Sequence, residues 1–196
     1  MTIEEIKQKA LLNDVPIIQD ASLLKIQDII KEQKVQKILE IGTAVGYSAI
    51  AFAKTIDGAI KVTTIERDEA MYNEALANVQ AMNLKDNIKL IFGDALNIDL
   101  SDFSQEFDLL FIDAAKAQNI KFFERYTPFV KDDGVIIVDN ILFHGVDAND
   151  PAISKNLRHL VLKIQKFLNW LNENEAYETT YFLEGDGLAI SRKKQC

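Results

Sequence analysis

The chain has one cysteine, Cys196 at its last position, which excludes an intramolecular disulfide and a thiolate-built metal cluster. No apolar run approaches the roughly 20 residues that cross a bilayer. The opening MTIEEIKQKA is polar and acidic rather than a signal peptide, so a soluble, cytoplasmic protein with no membrane partner is expected. Positive charge is also in short supply: 22 Lys and Arg stand against 30 Asp and Glu, for a formal net charge of -8. Such a chain does not coat nucleic acid through its general field, and any polyanion must be met by a local basic patch. Internal repeats and low-complexity tracts are missing too. With 196 residues, 48% of them hydrophobic, the chain suits one domain over 1–196, with residues 1–34 as an N-terminal helical segment packed on it.

The stretch from Val35 to Lys54 organises the rest. Ile38-Leu39-Glu40-Ile41 is a short apolar run broken by one acid and ended by Gly42, which reads as a buried parallel strand entering a tight turn. Gly42 and Gly46 bracket the turn, and Tyr47, Ile50, Ala51 and Lys54 follow at helical spacing. Glycines without Cβ atoms, next to the open N–H groups of a new helix, let a ligand approach the backbone. A dinucleotide fingerprint needs G-x-G-x-x-G, and Ala44 stands where its second glycine belongs.

Thr2 and Glu5 form a capping box for a first helix that ends before Pro16. Asp20 or Ser22 is the expected cap of a second helix, with Leu23, Leu24, Ile26, Ile29 and Ile30 as its apolar face. Further strands are predicted at Ile60 to Glu66, Asn87 to Phe92, Phe107 to Ile112 and, after a turn at Asp133-Gly134, Val135 to Val138. Helices fall between them, one carrying Met71 and Met82 as core residues and one running from about Lys116 to Val130. A loop from Phe143 to Asp150, a helix from about Ile153 to Asn172 and a hairpin around Gly185-Asp186-Gly187 complete the chain. The predicted fold is a doubly wound, Rossmann-like α/β sheet, mostly parallel, with an antiparallel C-terminal hairpin.

Four strands deliver an acid at their C-terminal ends, the edge where open α/β sheets bind ligands: Glu66, Asp94, Asp113 and Asp139. Glu66 lies 24 residues beyond Gly42, near the spacing that sets a carboxylate against ribose hydroxyls. Asp113, Asp139 and Asn140 offer only hard oxygen ligands, which suit Mg²⁺ or Ca²⁺. Lys116 stands three residues after Asp113 and can share its pocket. Two other classes of function compete. An NAD-dependent oxidoreductase is disfavoured by Ala44 and by the lack of a Tyr-x-x-x-Lys placement, and a noncatalytic scaffold has no use for the set Asp113, Lys116, Asp139, Asn140.

Glu40 to Ser48 (EIGTAVGYS), Ile65-Glu66-Arg67, Gly93-Asp94-Ala95, Phe111 to Lys116 (FIDAAK) and Val138-Asp139-Asn140 resemble the cation-dependent S-adenosylmethionine O-methyltransferases related to the catechol and caffeoyl-CoA enzymes. Asp139 to Phe143 (DNILF), Trp170-Leu171 and Gly185 to Ser191 (GDGLAIS) are similar to the bacterial tRNA 5-hydroxyuridine methyltransferases. The resemblance implies a class I methyltransferase sheet that binds S-adenosylmethionine through Ile18, Glu40, Gly42, Ser48, Glu66, Asp94, Ala95 and Asp113. It also implies Mg²⁺ or another divalent cation on Asp113, Asp139 and Asn140, and Lys116 as general base. The substrate it implies first is 5-hydroxyuridine in a tRNA anticodon loop, stacked on Phe143, with phosphates met by Lys121, Arg125, Lys155, Arg158 and Lys163. A small vicinal diol of the catechol or caffeoyl-CoA kind is the alternative. A homodimer is the assembly it allows. Two departures stand out: the N-terminal segment is short, and the region after Asn140 is modestly basic, mixing Lys155, Arg158, His159, Lys163 and Lys166 with Asp147 and Asp150.

Overall fold

In the computed structural model, residues 1–56, 58–101, 103–104, 106–142 and 153–194 are described. The apolar runs become five parallel strands: β1 Lys37–Ile41, β2 Lys61–Glu66, β3 Ile88–Phe92, β4 Phe107–Ile112 and β5 Val130–Asp139. Strands β6 Tyr177–Phe182 and β7 Leu188–Lys193 form the antiparallel hairpin, and β7 joins β5, giving one seven-stranded sheet of order β3-β2-β1-β4-β5-β7-β6. Strand order reverses around β1, which places the ligand crevice beyond its C-terminal end. In register, Ile41 pairs with Ile65 on one side and Ile112 on the other, so Gly42, Glu66 and Asp113 leave the sheet side by side.

Side-chain alternation splits the core between the two faces. Ile38, Phe111, Ile137 and Ile190 join one cluster with helices α1 Ile3–Leu12, α2 Asp20–Glu32 and α3 Tyr47–Ala53. Leu39, Leu110, Ile136 and Ala189 join the other, with Phe122, Phe123 and Tyr126 of α5 Asn119–Tyr126 and Phe167 and Leu171 of α6 Lys155–Glu173. Helix α4 Glu69–Ala81, capped by Asp68, supplies Val79 to the first cluster. Among the described residues, no helix is long and apolar enough to cross a membrane.

Several local expectations need correction. The Thr2–Glu5 capping box forms, but neither Asp20 nor Ser22 caps α2: Gln19 occupies the cap position, Asp20 pairs with Lys7 Nζ at 2.6 Å, and Ser22 is buried inside the helix. Leu24 points outward, 60% exposed, because the core stripe of α2 passes through Leu23, Ile26, Ile29 and Ile30. Met71 and Met82 pack at the edge of the core rather than within it. The segment expected as one helix from Lys116 is a 3₁₀ turn Lys116–Gln118, α5, and a second 3₁₀ turn Thr127–Phe129 containing Pro128, and Val130 already belongs to β5. Asp133-Gly134 is not a turn before β5 but lies inside it, where the register with β4 shifts between Phe107 and Leu109. Gly134 is needed there, since a Cβ would sit 3.0 Å from the Asp108 carbonyl oxygen. The expected loop Phe143 to Asp150, with the stacking role given to Phe143, lies outside the described residues, as does Cys196.

Candidate active site

The exit of β1 shows why glycine stands there. Gly42 has φ +98°, and a Cβ on it would lie 2.1 Å from the backbone oxygen of Asp113 on neighbouring β4. Ala44 and Gly46 also adopt positive φ, at 45° and 81°. The turn directs the Thr43 and Ala44 N–H groups to Glu66 Oε2, at 3.2 and 2.8 Å, while Arg67 and Asp68 N–H donate to Oε1, both at 2.8 Å. Glu66 therefore fastens the glycine turn to the end of β2 and lines the cavity beside it.

Behind the turn, Glu40 is wholly buried. Ser48 Oγ donates to Oε1 at 2.6 Å and Thr64 Oγ1 to Oε2 at 2.5 Å, and Thr43 Oγ1 lies 2.5 Å from Thr64 Oγ1. Burial pushes the Glu40 carboxyl up to about 8, against the lowering effect of the two hydroxyls, with the charges of Asp113 and Glu66 adding to the rise. Its folded value exceeds its ordinary 4.5, so the native state binds this proton more tightly than the unfolded chain does. Stability of the ligand-free protein should therefore fall as pH rises from about 4.5 to about 8. Urea unfolding across that range is expected to show a shallower decline for Glu40→Gln, and an unchanged slope would contradict the assignment.

A cavity of about 510 Å³ opens at this edge of the sheet. Pro16, Ile17 and Ile18, the strap between α1 and α2, close one side, and Gly42, Thr43, Ala44, Tyr47 and Ser48 form its floor. Glu66, Asp94 and Ala95 line a second wall, and Asp113, Lys116, Asn140 and Asp186 a third. Glu40 and Asp139 stand behind this lining, Glu40 reaching the cavity through Ser48 Oγ. The Asp94-Ala95 corner is held by Tyr126 OH, which donates to Ala95 O at 2.6 Å, and by Arg125, whose Nε and Nη2 donate to Ala95 O and Ile98 O. Arg125, expected at a phosphate, is thus occupied with carbonyls.

On the third wall, Lys116 Nζ lies 2.6 Å from Asp113 Oδ1. Asp139 is 1% exposed and accepts the Asn140 N–H at 2.8 Å. Its carboxyl is raised to about 7, first by burial and then by the charge of Asp113, with Lys116 opposing and Asp186 adding. Asn140, at φ 59°, gives an Nδ2 hydrogen bond to Asp186 Oδ2 at 2.9 Å. Among the described residues no three His, Cys, Asp or Glu side chains group as a metal cage. The set here is two carboxylates and one amide oxygen, which fits a hard cation that keeps waters or substrate oxygens. The crowding that raises Asp139 is what a cation would relieve. Asp186 was legible in sequence only as a turn residue.

A family model described as O-methyltransferase matches residues 3–194. The chain belongs to the O-methyltransferase family. A caffeoyl-CoA O-methyltransferase of Populus kitakamiensis is 30% identical over 171 residues, covering 84% of this chain and 73% of that protein. A crystal structure of a candidate caffeoyl-CoA O-methyltransferase from Staphylococcus aureus is 41% identical, covers 99% of this chain and 93% of that one, and superposes with a TM-score of 0.91. An O-methyltransferase from Bacillus cereus, solved with SAH, is 27% identical over 98% of this chain and 90% of that one, with a TM-score of 0.83. The methyltransferase takes its methyl group from S-adenosylmethionine, and its glycine turn and strand-end acids provide a cavity of suitable character for that donor. An oxidoreductase or a noncatalytic scaffold is thereby set aside.

Proposed function

We propose that this methyltransferase acts on one of two neighbouring oxygens of a catechol-type vicinal diol, with Mg²⁺ or another divalent cation held by Asp113, Asp139 and Asn140. The observation that carries the reading is the pairing of Lys116 Nζ with Asp113 Oδ1 at 2.6 Å in the same cavity as the glycine turn and Ser48. The donor's amino acid end belongs at Gly42 and Ser48, with Glu40 acting through Ser48. Its ribose belongs at Glu66, its adenine beside Asp94 and Ala95, and its outer side against Ile18 and Asp113. When bound, the cation supplies Lewis acidity that makes a substrate hydroxyl a stronger acid. Engagement of Asp113 by the cation would free Lys116 Nζ from its ion pair and favour loss of the ammonium proton to solvent. The neutral amine would then take the hydroxyl proton while the oxygen–methyl bond forms and the sulfonium carbon–sulfur bond breaks, leaving S-adenosylhomocysteine. Orientation within the enclosed cavity supplies much of the rate.

A second reading, methylation of 5-hydroxyuridine in a tRNA anticodon loop, is favoured by one feature. Helix α6 meets the Lys116–Gln118 turn and carries Lys155, Arg158, His159, Lys163 and Lys166 with no acid before Glu173, in a chain of net charge -8. A 5-hydroxyl beside the 4-carbonyl offers the same chelating pair as a catechol, and an unpaired loop base enters a pocket without opening a duplex. Methyl transfer to catechols and to tRNA bearing 5-hydroxyuridine should be measured side by side, with Mg²⁺ and with chelator. Efficient catechol methylation supports the first reading. Methylation confined to the tRNA, weakening steeply with salt, would replace it with the second.

Glu66→Ala is expected to weaken S-adenosylmethionine binding by about 1 to 3 kcal/mol in calorimetry, through loss of hydrogen bonds to a charged group. The loosened glycine turn adds to the effect, and unchanged affinity would remove Glu66 from the site.

A further inference from the structure

We infer that Asp186 is a positioning residue that decides which way the Asn140 carboxamide faces, turning Oδ1 rather than Nδ2 toward the cation. The inference rests on the cation reading above. The oxygen and nitrogen of a carboxamide are nearly equal in size, so packing alone does not choose between the two orientations, and the choice falls to a polar partner. An ionised carboxylate only accepts hydrogen bonds. Asp186 Oδ2, 2.9 Å from Asn140 Nδ2, therefore holds the donor end and leaves the acceptor end for a cation. Without that partner, half of the carboxamide orientations would present N–H groups to a positive ion.

The backbones of both residues are fixed relative to each other. Leu142 N–H donates to Asp186 O at 2.8 Å and Ile141 N–H to Gly187 O at 3.2 Å, joining the hairpin turn to the segment that follows β5. Gly187 has φ +76°, and a Cβ there would come 2.5 Å from Leu142 Cγ. On the other side of the turn, Gly185 at φ +62° faces Gln19, Ala21 and Ser22 at the start of α2. The turn is thus seated between the start of α2 and the strand end that carries Asp139 and Asn140. Asp186 is the side chain it presents to the cavity between those two anchor points.

The test is a double-mutant cycle read by electron paramagnetic resonance of Mn²⁺ binding, with no turnover involved. Asp186→Ala should weaken Mn²⁺ binding by about 10- to 100-fold, as loss of a partner that orients a metal ligand does. In an Asn140→Asp background both ligand oxygens are equivalent, no orientation needs fixing, and Asp186→Ala should leave Mn²⁺ affinity unchanged or raise it. Asp186→Asn, which keeps the shape of the turn but can donate as well as accept, serves as the second variant with the same expected pattern. Far-ultraviolet circular dichroism and a cooperative thermal transition close to those of the parent, both in chelator, certify that each variant is folded. An equal loss in both backgrounds would reduce Asp186 to a nearby negative charge and overturn the inference, as would no loss in either. Failure of the parent protein itself to bind Mn²⁺ would overturn the cation reading, and this inference with it.

Discussion

Lys116→Met is expected to slow methyl transfer by about 10²- to 10⁴-fold, the contribution of a positioned proton acceptor. Methionine reproduces the unbranched stem of lysine as far as Cε but offers nothing to take a proton. The side chain of Lys116 is 17% exposed and lies against Asp113, so the variant should fold and bind S-adenosylmethionine normally. Lys116→Arg separates the two roles the lysine could have. An arginine restores positive charge beside Asp113 yet does not deprotonate in a protein, so it should be as slow as methionine if Lys116 is the base. Single-turnover rates with saturating cofactor and Mg²⁺ provide the measurement. Rescue by arginine would show that the site needs only charge balance, and a normal rate for methionine would remove Lys116 from the reaction.

Asp139→Asn should abolish cation-dependent activity, by more than about 100-fold, and at the same time stabilise the cation-free protein. The two effects have one origin. Asp139 is buried beside Asp113 and its carboxyl is raised to about 7 from an ordinary 3.8. A raised carboxyl leaves the native state holding the proton longer than the unfolded chain, so the penalty grows as pH climbs from about 3.8 and is fully present above about 7. Asparagine removes the charge and still accepts the Asn140 N–H. Urea unfolding at pH 8 in chelator should therefore show a gain of about 1 to 3 kcal/mol, below the full value that such a displacement represents because charged neighbours and water relax. At pH 5 the gain should shrink. A variant less stable than the parent at pH 8, or one that still turns over with Mg²⁺, would refute the shared origin.

Much of the fold was legible because it depends on local pattern. Apolar runs such as Ile38 to Ile41 and Phe107 to Ile112 declare buried parallel strands, and an acid or a glycine at each end marks the ligand edge, since parallel strands all finish on the same side. The closeness of Asp113 to Asp139-Asn140 followed from β4 and β5 being neighbours, and the sheet has them paired. Gly42 was readable as a close-approach residue, although what approaches, the Asp113 carbonyl, was not.

What the chain alone determined, then, was the order of strands and helices and the residue types brought to one edge. These rest on the two-residue and 3.6-residue periods of backbone structure, which act between near neighbours. Tertiary structure decided what each side chain does with its hydrogen bonds. Arg125 serves the carbonyls of Ala95 and Ile98 instead of a phosphate, Glu66 fastens the glycine turn, and Glu40 is sealed with Ser48 and Thr64. Asp133-Gly134 reads as a turn, but it lies inside β5, in the irregular stretch between the pairs Val130–Phe107 and Val135–Leu109. Asp186, in a hairpin that is far along the chain from Asn140, becomes its partner only because β7 lies antiparallel to β5 and returns the turn to the end of that strand. Burial and hydrogen-bond partnership depend on which distant segments meet, and that is settled by packing of the sheet and not by any local period.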